Sequence, residues 1–502
     1  MIDGSHAAPA PAPAPAPAAS GGIPGTSFAS RRFHLVGVGG AGMSGLARLL
    51  AGSGGVVTGS DSSGGETFDA LAAAGPGEVW LGCQPARIHG EDGYVIRSAA
   101  VPLGDAEVQE CVRRGFTSLL YAEAVGRLSE GRRTLAIAGT HGKTTTTGLL
   151  VAALRAAGVD PSHLIGGEAP QLGGNGHGGT SPEFVVEACE FNRSFHNLRP
   201  FGAAILNLDR DHFDCYPSTD ELVEAFAGYL ARVRPGGTAL VEETVPKAVL
   251  NSLRNDVRIL TVGSGLWADI RAVEVQEQRS QFSFVPVLLG QRLDRVQLSL
   301  SGRHNMQNAL FALGLAHTAG ADLAGVCRGI AAFAGVRRRF EMHTGPNGGT
   351  LVNDYAHHPA EIRAVLQTAR RRFVGRRLLV VFQPHQFQRT LCLLSEFADA
   401  LALADRVLVA DIYGARESAE MKASVSAADL VAAVQERGCR CDAVGAVAAV
   451  PAAVRAAPTN HQLLLLRGGG DLDPAAGGVV AALSPPCRAC AASCARPCRW
   501  RR

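Results

Sequence analysis

The segment "TLAIAGTHGKTTTTGLLVAALRAAG", residues 134–158, runs from an apolar stretch through a glycine turn into a helical pattern. A strand that feeds a helix in this way predicts a parallel sheet, because the chain must cross over before it can pair again. The turn is shorter than the common phosphate loop G-x-x-x-x-G-K-[ST], since Ile137 stands where that pattern needs glycine. Its parts are nonetheless those of a nucleotide site. Backbone N–H groups at Gly139, Thr140, His141 and Gly142 can surround a phosphate, and Lys143 can reach a transferable phosphoryl group. Thr144 offers a hydroxyl to Mg²⁺, with Thr145 next in the turn. Of 48 basic residues only Lys143, Lys247 and Lys422 are lysine, so lysine is rare in this chain and one of the three sits in the loop.

Two further α/β units flank this one. In "FHLVGVGGAGMSGLARLLAGSGGVVTGSD" an apolar run is followed by Gly37, Gly39 and Gly42, spelling G-x-G-x-x-G before a helix, and a second strand ends at Asp61. Such a turn lets backbone approach a pyrophosphate while the acid holds a ribose hydroxyl. Alone, it also fits a nicotinamide cofactor or no ligand. After "FAGVRRRFE", the strands "GGTLVND", "RRLLVVFQPH", "ADRVLVADIY" and "HQLLLLRGGGD" alternate with helices. Between these units, Glu187 and His212 fall at the carboxyl ends of "EFVVEA" and "GAAILNL", on the face where the phosphate loop opens. Both are candidate metal ligands.

Composition narrows the class. With 46% apolar and 19% charged residues and a net charge of +3, the 502-residue chain predicts several globular domains and no nucleic-acid partner. No apolar run reaches the roughly 18–20 residues of a membrane span. Eight scattered cysteines between Cys83 and Cys441 suit a reduced cytoplasmic enzyme. Residues 1–30, rich in alternating alanine and proline, predict a solvated extension, and residues 481–502 a basic tail. That tail holds Cys487, Cys490, Cys494 and Cys498; one C-x2-C step, Cys487–Cys490, has no second to pair with it and no histidine nearby, so disorder is favoured over a zinc site.

Seven stretches in order, "AGTHGKTTTT", "VEACEFNRSF", "NLDRDHFDCY", "GRHNMQNALFA", "GVRRRFE", "NDYAHHPAE" and "FQPHQFQRT", resemble the Mur ligases of peptidoglycan synthesis. The resemblance implies a three-domain α/β fold: a Rossmann-like UDP-binding domain (31–132), a central P-loop ATPase domain (133–335) and a Rossmann-like C-terminal domain (336–480). It implies ATP and Mg²⁺, with UDP-N-acetylmuramate and L-alanine as substrates, or a preformed tripeptide in place of alanine. Gly37, Gly39, Gly40 and Gly42 would then face UDP rather than a nicotinamide. Lys143 would hold ATP phosphates, and Thr144 and Glu187 Mg²⁺, with His212 at a second metal. Asn305 and Asn308 match adenine contacts, Arg339 an arginine reaching the phosphates, and Asp354 an acid near the ribose. His358 and Arg389 match residues near the amino-acid pocket, His358 being a candidate general base. Departures from the family pattern include "EACEFN" for EADESD, which keeps Glu187 and Glu190, Gln386 within "FQPHQ", Cys83, and the proline- and cysteine-rich tail after "GGGD".

Overall fold

The protein is described by a computed structural model covering residues 28, 30–74, 77–211, 213, 215–344, 350–414, 417–457 and, as backbone, 461–467. His212, the 481–502 tail with its four cysteines, and most of the 1–30 extension lie outside the described residues. Phe28 falls inside the segment expected to be solvated, yet it is buried. That ring is 2% exposed and packs edge-on against Phe33 at 5.8 Å, so it belongs to the first core.

The first sheet has five parallel strands in the order 77–81, 56–61, 32–36, 93–97, 116–120. The strand order reverses on either side of Arg32–Val36, so the crevice at its carboxyl end is where a doubly wound sheet takes ligands. Gly37 occupies that turn at φ +87°, which favours glycine, and leads into the helix Ala41–Gly52. Leu46, Leu49 and Leu50 of this helix are fully buried, each stabilising by about 1.5–3 kcal/mol.

The central sheet has eleven strands, with Arg133–Ala138 between Gly202–Ile205 and Glu183–Glu187 and parallel to both. Its far side is extended by an antiparallel hairpin, Ile270–Gln278 with Gln281–Leu288. The helix Lys143–Ala156 starts from Gly142 at φ +84°. Four consecutive threonines open it although β-branched residues are mediocre helix formers. Burial overrides propensity here: Thr144 to Thr147 are all buried, and the helix packs under Arg303–Thr318 and Leu323–Ala332.

The third sheet has six strands, 341–344, 350–354, 461–467, 377–383, 406–410 and 440–445. The first pairs antiparallel with the second, and the rest are parallel. All three sheets thus turn carboxyl ends carrying polar loops towards a shared region.

The first and central sheets are docked along one helix. The helix Ala41–Gly52 lies on strands Ser162–Leu164 and Gly176–His177. Asn175 Nδ2 donates to the Ala41 carbonyl at 2.6 Å, and Arg48 pairs with Glu168 at 3.0 Å. A β-carbon built on Gly176 would stand 1.9 Å from the Gly45 carbonyl oxygen, where no relaxation of a side chain can help. Gly176→Ala should therefore destabilise the protein by about 1–3 kcal/mol and loosen this docking. Thermal unfolding and limited proteolysis check it; an unchanged melting curve would mean that the helix does not sit on this strand in solution.

Candidate active site

The phosphate loop is shaped by its two glycines and held by the next strand. Gly139 has φ +137°, and a β-carbon on Gly142 would meet Asn308 Oδ1 at 2.7 Å. Because the strand Gly202–Ile205 ends early, Asn207 and Asp209 leave the sheet and reach the loop. Asn207 Oδ1 accepts from His141 N at 2.8 Å while its Nδ2 donates to the His141 carbonyl at 3.0 Å. Thr140 Oγ1 donates to the Asp209 carbonyl at 3.1 Å.

Lys143 folds back into this loop. Its Nζ donates to the carbonyls of Gly139 (2.6 Å) and Thr140 (3.2 Å) and pairs with Glu190 Oε2 at 2.9 Å. Burial works against the ammonium charge, but Glu190 more than offsets it, so the lysine is more basic than usual. Beside it, the Glu187 carboxylate accepts Gly166 N at 2.6 Å and the Thr144 hydroxyl. Burial raises the Glu187 pKa, so a positive ion there would relieve a carboxylate short of compensation. Hard oxygen donors at Thr144 and Glu187 fit Mg²⁺.

Two cavities open from this loop. One, of about 260 Å³, is lined by Lys143, Thr144, Glu187, Glu190, Tyr355 and the N-terminal Ala41 of the first helix. The other, of about 240 Å³, is lined by His141, Asn305, Asn308, Phe311, Phe340 and Asp354. Asn308 Nδ2 donates to Asn305 Oδ1 at 3.0 Å, fixing both amides. Three consecutive arginines all line the cavity beside Lys143, and Arg338 and Arg339 both lie over the Tyr355 ring. Arg337 pairs with Glu66 of the first domain at 3.0 Å, and Arg338, at φ +60°, lies over Tyr355. Arg339 lines both cavities, 3.9 Å from Glu361.

Asp61, His358 and Arg389 each find partners within the protein. Asp61 Oδ2 accepts Gly39 N at 2.8 Å and Oδ1 accepts Ser63 N at 3.0 Å, so this acid spans the glycine turn itself. Gly40 is the cap residue before the helix, and a β-carbon on Gly42 would strike the Tyr121 ring at 2.9 Å. His358 is a helix cap: Nδ1 accepts Ala360 N at 3.3 Å and Nε2 faces the Arg210 carbonyl at 3.1 Å. With both ring nitrogens engaged and burial lowering its pKa, it is poorly placed as a general base. Arg389, 3% exposed, binds Asp211 Oδ1 at 2.8 Å, which joins the C-terminal and central domains behind the cavity. Asn207, Glu190 and Glu361 carry no role in the sequence reading, although all three sit inside quoted motifs.

Asp354 accepts the N–H groups of Phe340 and Ala356, both at 2.7 Å, yet burial dominates and raises its pKa to about 6. Unfolded, this carboxyl ionises near about 4. The folded state holds the extra proton in between, so stability from this group is lost as pH rises from about 4 to about 6. Asp354→Asn cannot titrate and should gain on the wild type by about 1–3 kcal/mol across that window. Urea unfolding at both ends of the window measures it; parallel pH profiles would refute the buried acid.

Comparison with known proteins matches this layout. Residues 32–133 match the Mur ligase family catalytic domain, 137–316 the Mur ligase middle domain, and 338–470 the Mur ligase glutamate ligase domain. The UDP-N-acetylmuramate--L-alanine ligase of Mycolicibacterium vanbaalenii is 41% identical over 418 residues, covering 80% of this chain and 87% of its own. That of Streptomyces griseus is 36% identical over 453 residues, covering 89% and 96%. The crystal structure of UDP-N-acetylmuramate-alanine ligase from Thermotoga maritima superposes with a TM-score of 0.73 at 25% identity, over 90% of this chain and 98% of that one. A murein peptide ligase from Psychrobacter arcticus shares the fold, with a TM-score of 0.67 at 23% identity over 90% and 99%. With three domain models in chain order and relatives matching along most of both lengths, the chain belongs to the Mur ligase family.

Proposed function

We propose that this protein is an ATP-dependent ligase that joins the lactyl carboxylate of UDP-N-acetylmuramate to the amine of L-alanine. The observation that carries the reading is the 36–41% identity to ligases of that name, over at least 80% of this chain. The domain division that accompanies it is 31–132 for the sugar nucleotide, 133–335 for ATP and 336–480 for closure over both. The cytoplasm is the proposed location; among the described residues no helix is long and apolar enough to cross a membrane.

A carboxylate is a poor acyl donor because its leaving group would be oxide. Transfer of the γ-phosphoryl group of ATP onto it gives an acyl phosphate and ADP. The amine then attacks the acyl carbon, and the tetrahedral intermediate expels phosphate as the amide forms and the amine proton is lost. Lys143 and Arg339 offset charge on the phosphoryl group in flight, the dominant effect in such transfers. Thr144 and Glu187 would hold Mg²⁺, which supplies further charge neutralisation, and His212 is a candidate for a second ion. Asn305, Asn308 and Asp354 line the cavity suited to the nucleoside. The glycine turn at Gly37–Gly42 opens beside the phosphate loop through Ala41, so the sugar nucleotide's acid can reach the phosphoryl group.

ATP turnover should require UDP-N-acetylmuramate and L-alanine together; turnover with a preformed tripeptide and not alanine would assign a recycling ligase instead. Lys143→Ala should abolish turnover while sugar-nucleotide binding changes by no more than about threefold, because the two sites are built on different sheets. Arg339→Lys should lower turnover roughly a hundredfold, whereas Arg337→Lys, at a partly exposed pair, should cost little. Steady-state kinetics of the two side by side decides between them, and the reverse order would give the role to Arg337.

A further inference from the structure

The C-terminal domain meets the phosphate loop at His141, through the Glu361 carboxylate and the ring of His358. Glu361, in the first turn of the helix Pro359–Arg372, keeps 12% of its side chain exposed. Its Oε1 lies 3.1 Å from Nδ1 of His141, the histidine of "GTHGKT". Its Oε2 accepts His357 N at 3.0 Å and lies 3.3 Å from His357 Nδ1, while Arg339 stands 3.9 Å from Oε1. The helix N-terminus adds its own positive end. On the other side of the imidazole, His141 Nε2 lies 3.3 Å from Asp209 Oδ2 of the central domain.

A neutral imidazole has one N–H, yet here each nitrogen faces a carboxylate from a different domain. The imidazolium can face both at once, with Nδ1 hydrogen-bonded to Glu361 and Nε2 beside Asp209 as an ion pair rather than a hydrogen bond. The other groups around it do not supply a competing positive charge of the same strength. His358, 4.7 Å away ring to ring, has a lowered pKa, as does His304 in the adjoining cavity, at about 4. Arg339 and His357 reach His141 only across Glu361, and Asp211 adds negative charge near Asp209. Burial pulls His141 towards neutrality, but Glu361 and Asp209 prevail and hold it at about 9.

We propose that Glu361 is a positioning residue: by gripping the His141 imidazolium, it clasps the C-terminal domain to the phosphate loop and orients that loop for phosphoryl transfer. The clasp rests on the functional reading above only for its consequence in catalysis; the contact itself is independent of substrate. Because the imidazolium is raised above its unfolded pKa, the clasp is intact at neutral pH and is lost as pH rises through about 9. Arg339 shares the same carboxylate, so closing the domain brings the clasp and the phosphate-facing arginine to the loop together.

Glu361→Gln keeps the shape of the side chain and removes its charge. NMR titration of the ligand-free, histidine-labelled protein, with His141→Asn to assign the resonance, should show His141 shifting down by about one pH unit or more in Glu361→Gln. In ligation assays the alkaline limb of kcat should move to lower pH with it, and kcat near pH 8 should fall roughly tenfold. UDP-N-acetylmuramate binding should hold within about twofold, and Glu361→Gln should add nothing to His141→Asn. An unmoved His141 titration, or losses that multiply in the double variant, would overturn the proposal. Absence of ligation in the wild type would instead sink the functional reading, and the NMR titration would still decide the clasp.

Discussion

Charge removed from water must be met by charge, and the centre of this protein is organised by that requirement. Lys143, His141 and Arg339 stand against Glu190, Glu361 and Asp354 where three sheets converge, and Glu187 lies among them with its compensation incomplete. One of these pairings crosses the domains: His141 of the central sheet meets Glu361 of the C-terminal one. The lysine and its glutamate come from the central sheet, while the arginine and the acid that faces it arrive with the C-terminal one. His141 and Glu361 compensate each other only with the domains together, so this pairing helps to fix how the domains meet.

Backbone geometry supports that balance. The positive φ of Gly142 and its closeness to Asn308 set the loop against the helix above it, and the early end of strand Gly202–Ile205 frees Asn207 to bind the loop from below. The buried threonine run then carries the helix into the core, where packing against two further helices makes the loop's base rigid. A rigid base matters because phosphoryl transfer depends on donors that need no rearrangement as charge develops.

The α/β layout was legible because parallel strands buried on both faces read as short apolar runs punctuated by glycine, and each run appears in the chain as such. The loop at Gly139–Thr144 and the acid at Glu187 were legible for the same reason: they terminate strands. Contacts between distant segments left no such signal. Arg389 and Asp211 are 178 residues apart, and His141 and Glu361 are 220 apart, so neither pairing has a local pattern. His358 was readable in principle, since a polar residue before a proline at the first helical position is a cap signature. Phe28 was hidden by its surroundings, an aromatic residue at the edge of a low-complexity stretch.

The glycine turn of the first domain and the phosphate loop of the second share one habit. Asp61 occupies the N–H of Gly39, and Glu190 occupies the ammonium of Lys143. Each element thus carries a tethered carboxylate that already occupies part of its donor set. A phosphate arriving at either would have to exchange partners and would gain only the difference between two anions, against an internal competitor of very high effective concentration. Capture at such a place would be weak and readily reversed, and an inhibitor that merely copied the ground-state phosphate would meet the same competitor.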